Sequence, residues 1–269
     1  MIYTPQDHTF SICAYGESEY LKECIESVIN QSLRTNVIIC TSTPSQYLRK
    51  LADEYGIRLF VNVDRINDSN ISADWNYAIA CAKTPLVTIA HQDDLYKREF
   101  AEAVIESMNK AKKPLIAFSD YSELRNNEEV SSNLNLNIKR IMLFPLRSKG
   151  LWGSGFVRRR ILSLGSPICC PSVTYAVNNL PNPPFLEGYR VSLDWQAWER
   201  YSRLQGDFVF VNRILMTHRI HEDSETTRNI EVNNRTKEDY EMLCKFWPKR
   251  VAGFIEHWYG KSEKQNVVK

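Results

Sequence analysis

At 269 residues and a formal net charge of +2, the chain is long enough to bury a sizeable core and too nearly neutral to take a nucleic acid as its main partner. Charged residues make up 25% and apolar ones 43%, the balance of an ordinary globular protein rather than a disordered or membrane-spanning one. No apolar run approaches the roughly 20 residues that span a bilayer, MIYTPQDHTF lacks a signal-peptide core, and seven cysteines without a CxxC pair suit reduced thiols, so a cytoplasmic location is expected.

Residues 9–15 read as a first strand, and Ser18 opens a helix with Leu21, Ile25, Val28 and Ile29 at helical spacing. Between them lies Ala14-Tyr15-Gly16-Glu17, whose tyrosine is placed either to stack on a flat base or to join the core. Residues 37–40 are a second strand running into Thr41-Ser42-Thr43-Pro44, with Pro44 expected as the first residue of a helix ending at Tyr55. A third strand over 57–63 and a helix over 71–82 follow, the helix turning Ile71, Trp75, Ala78, Ile79 and Ala82 inward. Residues 86–90, a β-branched run after Pro85, read as a fourth strand buried on both faces.

At that strand's carboxyl end sit His91, Gln92, Asp93 and Asp94. Ligands bind at this edge of open α/β sheets. Adjacent carboxylates repel unless a cation or several donors hold them, and hard oxygen ligands favour Mg2+ or Mn2+. The plainer alternative is that Asp93 and Asp94 cap a helix starting near Lys97. A helix over 100–111 and a fifth strand over 115–121 complete an alternating pattern, which predicts a Rossmann-like, mostly parallel α/β sheet with helices on both faces. The absence of GxGxxG after the first strand, and of GxxxxGK[ST] anywhere, removes the main support for a dehydrogenase or a P-loop enzyme.

Beyond Tyr121 the alternation stops. Residues 123–137 are polar and Asn-rich, a surface loop or lid. Helices are expected over 156–164 and 192–204, a turn and strand around 171–175, a strand over 208–211, and a segment over 215–227 holding His218, Arg219, His221 and Ser224. Trp152, Trp195 and Trp198 are candidates for an acceptor wall, since sugars present apolar C–H faces to aromatic rings; Trp195 and Trp198 equally suit a core. Cys169 and Cys170, beside Pro171, suit packing rather than metal. From Arg235 onward two amphipathic helices broken at Trp247-Pro248 are predicted, with Tyr240, Leu243, Cys244, Trp247, Val251, Phe254 and Trp258 on one face. That face is expected to pack on the domain, with a homodimer or peripheral membrane contact as the alternatives.

Four segments resemble, in order, parts of the family 2 nucleotide-sugar glycosyltransferases, which have the GT-A fold. FSICAYGESEYLKECIESVINQS is similar to that family's opening strand and helix, and NISADWNYAIACAKTPLVTIAHQDD to the unit leading to its DxD-type metal motif. LDWQAWERYSRLQG resembles its downstream acidic motif, and MTHRIHEDSET its closing Arg-x-His segment. The resemblance implies a GT-A domain over 1–234, with a nucleotide-binding half to about 121 and an acceptor-side half beyond, and a helical appendage over 235–269. It implies nucleotide-sugar contacts at Ala14, Tyr15, Glu17, Thr41, Ser42, Asn76, His91, Gln92 and Asp93, a Mn2+ or Mg2+ ion on Asp93 and His221, and Asp194 as general base. The implied reaction moves a sugar, with inversion, from a nucleotide-diphosphate donor to a hydroxyl of a glycan or lipid-linked acceptor. Surface polysaccharide or glycoconjugate synthesis, at the inner face of a membrane, is the implied setting.

Two departures from the family pattern stand out. His91 occupies the first acidic position of the metal motif, and residues 41–44 stand where Asp-Asp-Gly-Ser is usual. A hydroxyl accepts a base N–H less strongly than a carboxylate does. A degenerate carbohydrate- or partner-binding protein is therefore the alternative reading, while a nucleotidyltransferase would want a glycine-rich basic loop that Ala14-Tyr15-Gly16-Glu17 does not offer. Asp194 has its own structural alternative as a helix N-cap or partner of Arg190, and His221 as a core histidine.

Overall fold

The computed structural model describes residues 2–68, 70–221 and 234–264, with side chains of the last stretch described over 236–257. Ser224, residues 222–227 of the closing segment and the side chain of Trp258 thus lie outside the described residues. Strands β1 (His8–Ala14), β2 (Asn36–Thr41), β3 (Arg58–Val61) and β4 (Leu86–His91) alternate with helices α1 (Leu21–Ile29), α2 (Gln46–Tyr55) and α3 (Ile71–Ala82). After β4 come β5 (Leu95–Tyr96), α4 (Phe100–Met108), β6 (Pro114–Arg125), β7 (Glu128–Val130), α5 (Leu134–Leu143) and α6 (Gly155–Ile161). The chain continues through β8 (Val173–Ala176), α7 (Leu193–Ser202), β9 (Asp207–Ile220), α8 (Asn234–Leu243) and α9 (Lys249–Lys264).

All nine strands form one sheet in the order β3-β2-β1-β4-β8-β6-β9-β5, with β7 paired to β6. The expected parallel run is confined to β3-β2-β1-β4. Beyond it β8 enters antiparallel to both β4 and β6, and β6 and β9 pair in parallel again. Because β8 reverses direction twice over, β4, β6 and β9 all point the same way. Register shifts between Ser119 and Tyr121 break the β6–β9 ladder, and such bulges bend a sheet. The far end of β9 reaches β5, where Thr217 pairs with Leu95. Residues 217–221 thereby arrive beside the carboxyl end of β4.

Local chemistry explains most of the boundaries, including those that differ from expectation. Pro44 is not the first residue of α2: Ser45 is the N-cap, its hydroxyl accepting from the Leu48 amide at 3.2 Å, and Pro44 stands just outside. Residues 123–137 are no lid. Asn126 and Asn127 have φ of 50° and 63°, the two left-handed positions of a two-residue hairpin joining β6 to β7. Asn133 then caps α5, accepting from Leu136 N at 2.9 Å. In β1 the polar residues are buried and satisfied: His8 lies between Thr35 and Thr88, and burial pushes its pKa down to about 3, so it is neutral.

The C-terminal helices pack on the half of the chain that follows Tyr121. Met242, Leu243 and Ala252 are buried, Phe246 stacks on Trp195, and Trp247 Nε1 donates to Ser163 O at 2.7 Å. The break falls at Pro248, as expected, and its carbonyl accepts from both Val251 and Ala252. Among the described residues, no helix is long and apolar enough to cross a membrane.

Candidate active site

The turn leaving β4 closes through Asp94 N donating to His91 O at 3.2 Å, and it carries Asp93 and Asp94. Neither caps a helix: β5 intervenes, and α4 has Glu99 at its N-cap. Asp94 is completely buried. Its Oδ1 accepts from Arg219 N at 2.9 Å and lies 2.9 Å from His218 Nδ1. Asp93 Oδ2 lies 3.0 Å from His221 Nε2, and its carbonyl accepts from Arg219 Nε at 3.0 Å. The Arg219 guanidinium stacks 4.3 Å over the Tyr20 ring and pairs with Glu23. The end of β9 therefore closes over the end of β4 through charged groups on both.

These contacts set the charges. Burial works against ionising Asp93, yet the hydrogen bond from His221 and the nearby His91 and His218 hold its carboxyl below the usual range. Burial alone would keep His218 neutral, but the Asp94 carboxylate beside it raises its pKa. His91 goes the other way, lowered mainly by burial. His91, Asp93 and Asp94 offer ligand atoms within 4.8 Å of one another. Among the described residues, the buried atoms His91 Nε2 and Asp94 Oδ2 have no hydrogen-bond partner. One imidazole and two carboxylates suit Mn2+ or Mg2+, and an ion would satisfy those orphaned lone pairs, so the residues fit a divalent cation. His221, the other expected ligand, contacts Asp93 through its Nε2.

The neighbouring loops from β1 and β2 are held by neutral groups. Gln92 clamps the loop after β1, accepting from Tyr15 N and donating to Tyr15 O, both at 3.0 Å. Gly16, at φ 62°, donates to Thr43 Oγ1 at 2.7 Å. The Tyr15 ring is 54% exposed, open to a base, and Glu17 is exposed beside it. Ala14, Thr41 and Ser42 are buried beneath. Thr41 uses its hydroxyl on the Thr43 amide at 2.9 Å. Asn76 has a different task from the expected one: its amide donates to Phe185 O and accepts from Phe185 N, which commits it to holding that loop.

Asp194 is the second residue of α7, where the helix dipole favours a carboxylate. Its Oδ1 accepts from Trp195 N at 2.6 Å and its Oδ2 from Ser166 Oγ at 3.4 Å. It is not the N-cap, which is Ser192. The Cys169 thiol is raised mainly by burial, with Asp94 and Asp194 adding to that shift against Lys139. The tryptophans do not line the site. Trp152, Trp195 and Trp198 are all buried, with Trp152 donating to Leu146 O and Trp195 to Leu162 O. A sugar needs an open ring face, so the expected acceptor wall is corrected to core. Trp75, half-buried, stacks on His91 at 5.4 Å.

The family model described as Glycosyl transferase family 2 matches residues 9–172. The chain belongs to that family. Among solved structures, this family 2 glycosyltransferase aligns with S. aureus TarS in complex with UDP-GlcNAc at a TM-score of 0.61 and 13% identity, covering 90% of this chain and 72% of that one. It aligns with the mannosyltransferase PcManGT from Pyrobaculum calidifontis, in complex with GDP-Man and Mn2+, at 0.60 and 13%, covering 96% and 70%. Such likeness establishes the shared GT-A fold. No curated protein is a sequence match.

Asp94, His218, Arg219, Trp75 and Glu238 were not among the expected site residues of the glycosyltransferase. Asp94 adjoins Asp93, and the Arg-x-His segment contains Arg219, so both signals were present. Glu238, on α8, accepts from the amides of Arg190, Val191 and Ser192 at 2.8 to 2.9 Å, and Asp239 accepts from Ser192 Oγ at 2.8 Å. That grip falls immediately before α7, and no local motif announces it.

Proposed function

We propose that this family 2 member transfers a hexosyl or related sugar, with inversion, from a nucleoside diphosphate sugar to a hydroxyl of a glycan or lipid-linked acceptor in polysaccharide or glycoconjugate synthesis. The observation that carries the reading is the His91-Asp93-Asp94 cluster at the carboxyl edge of β4, closed by His218, Arg219 and His221 of the strand that curls back to it. The complexes of the two solved relatives with UDP-GlcNAc and with GDP-Man and Mn2+ support it.

In this reading Tyr15 stacks on the base, while Gln92 and Thr43 keep the loop that carries it in place. Asp93, with His91 or Asp94, would hold a divalent cation, which would supply positive charge for the departing diphosphate. Arg219 and the His218–Asp94 pair fix that carboxylate cluster from behind. Asp194 takes the proton of the acceptor hydroxyl as its oxygen bonds the anomeric carbon and the bond to the diphosphate oxygen breaks. The base comes from a different segment than the cluster, which suits attack from the face opposite the leaving group. The Asp194→Asn variant keeps size and hydrogen bonding but removes the proton acceptor. We expect kcat to fall by about 100-fold or more with nucleotide affinity little changed, and the product to have the opposite anomeric configuration to the donor. Retention of configuration, or an Asn variant within a few-fold of the parent, overturns the assignment. Titration with UDP and GDP, with and without Mn2+, separates this reading from a binding-only protein, which would show no metal-dependent nucleotide affinity.

A further inference from the structure

Helix α5 presents an outer face that the fold leaves uncovered. Leu134, Ile138, Ile141 and Phe144 recur along one side at intervals of four, three and three residues, and are between 46% and 76% exposed. Its inner side, with Leu136 and Leu143, is buried. Scattered exposed apolar residues need no explanation, but four on successive turns of one helix do.

The charges around this stripe are one-sided. Residues 130–149, which hold the helix and the turn after it, contain four Lys or Arg and no Asp or Glu. Arg147 and Lys149 are exposed just past the helix, with the Arg147 guanidinium 5.4 Å from the Phe144 ring. Three nearby carboxylates are neutralised within the fold. Asp120 pairs with Arg140, Glu123 with Arg125, and Glu129 with Lys97; Glu128 of β7 is exposed beyond the helix's start. A symmetric pairing of two copies through this face would set like cations against each other. A surface of anionic headgroups complements them instead.

We infer that α5 and the turn after it are a docking face for a bilayer carrying anionic lipid, with the four apolar side chains at the acyl boundary and Arg147 and Lys149 at headgroup level. The C-terminal helices bury Met242, Leu243 and Ala252 and leave Val251 and Phe254 exposed, so the α5 face is a contact separate from any they make. The opposite, inner side of α5 leads toward the cluster. Lys139 of α5 donates to Tyr121 OH, and the Tyr121 ring is 6.5 Å from that of His218, which contacts Asp94. Docking through α5 would hold the cleft at the membrane surface. The inference does not rest on the catalytic reading.

The test is sedimentation of the full chain with vesicles of phosphatidylcholine alone or mixed with phosphatidylglycerol. We expect binding to the mixed vesicles only, weakened by salt. An Ile138→Asp/Ile141→Asp variant should bind more than about tenfold more weakly, since each exposed side chain it alters is apolar area withdrawn from the lipid. Its far-UV circular dichroism and melting should match the parent. The Arg147→Glu/Lys149→Glu variant, which leaves the stripe intact, should lose the preference for phosphatidylglycerol. Absence of binding to either vesicle overturns the inference, as do equal binding to both and unchanged binding by the Asp variant. A parent dimer that the Asp variant dissociates overturns it in favour of a second copy.

Discussion

The two sides of the cleft are held by different physics. On the β1–β2 side the loops are fixed by neutral hydrogen bonds: Gln92 to the Tyr15 backbone, Gly16 to Thr43, and Thr43 to Thr41. On the β4–β9 side the groups are ionisable, partly or wholly buried and drawn from distant segments: Asp93 and Asp94, His218, Arg219 and His221, and, further along, Glu238 gripping the residues before Asp194. A neutral bond contributes about 0.5 to 1.5 kcal/mol net, whereas removing one partner of a buried charged pair costs about 3 to 5 kcal/mol because the other is stranded. The cleft should therefore tolerate change on its first side and not on its second.

The largest break should come from Asp93. Asp93→Ala removes a charge that the surrounding histidines hold in its ionised form, along with a ligand of the proposed cation. We expect transfer to fall below detection, more than about 1000-fold, and the Mn2+ dependence of nucleotide binding to disappear, while circular dichroism stays unchanged. Unchanged turnover with unchanged Mn2+ dependence would show that the charged side is not where the chemistry lies.

Asp94 tests the same side through stability. It is completely buried against His218 and the Arg219 amide. Asp94→Asn leaves the imidazole facing a neutral amide. We expect a loss of about 3 to 5 kcal/mol in urea unfolding, with an unchanged m-value. A loss under about 1 kcal/mol would mean that the pair is solvated and the contrast between the two sides overstated.

These particular residues also show how far the sequence could be read. The periodicity of α1 to α3 and the β-branched run of β4 announce themselves, because local patterning decides amphipathic helices and doubly buried strands. The place of Asp93 at a strand end followed from the same run. What local patterning cannot encode is which distant strand arrives there: β9 is more than 120 residues from Asp94 along the chain, and β5 has only two residues. The tryptophans failed for a related reason, since an aromatic ring reads alike in a core or in a cleft. The hairpin at Asn126-Asn127 was legible in principle, because two residues tolerant of positive φ between pairing segments are its signature.

Glu238 should give a smaller effect than either carboxylate of the cluster. Three amides point at its side chain, so Glu238→Gln keeps the shape but loses charge-assisted bonding to at least one of them. It touches no substrate in the proposed reaction and acts by positioning the segment that leads into Asp194. We expect kcat to fall by about tenfold with the KM for the donor unchanged, and Glu238→Asp to recover part of the loss. An equal fall in thermal stability and in every kinetic constant would indicate general loosening instead.

The smallest effect belongs to the neutral side, and it is the sharpest check on the contrast. Thr43→Val is nearly isosteric and removes the hydroxyl that accepts from Gly16 N at 2.7 Å. The freed amide sits on a half-buried loop that water can reach, so its desolvation cost is partly recovered, and the Gln92 clamp on Tyr15 remains. A net loss near 1 kcal/mol corresponds to about a fivefold change at most in the Kd for UDP or GDP, with kcat unaltered once the donor saturates. Thr43→Ser, which restores the acceptor oxygen, should return the parent value. A hundredfold weakening by Val would mean that the loop after β1 has no second support and that Gly16, at its left-handed φ, depends on this one bond to hold Tyr15 for the base.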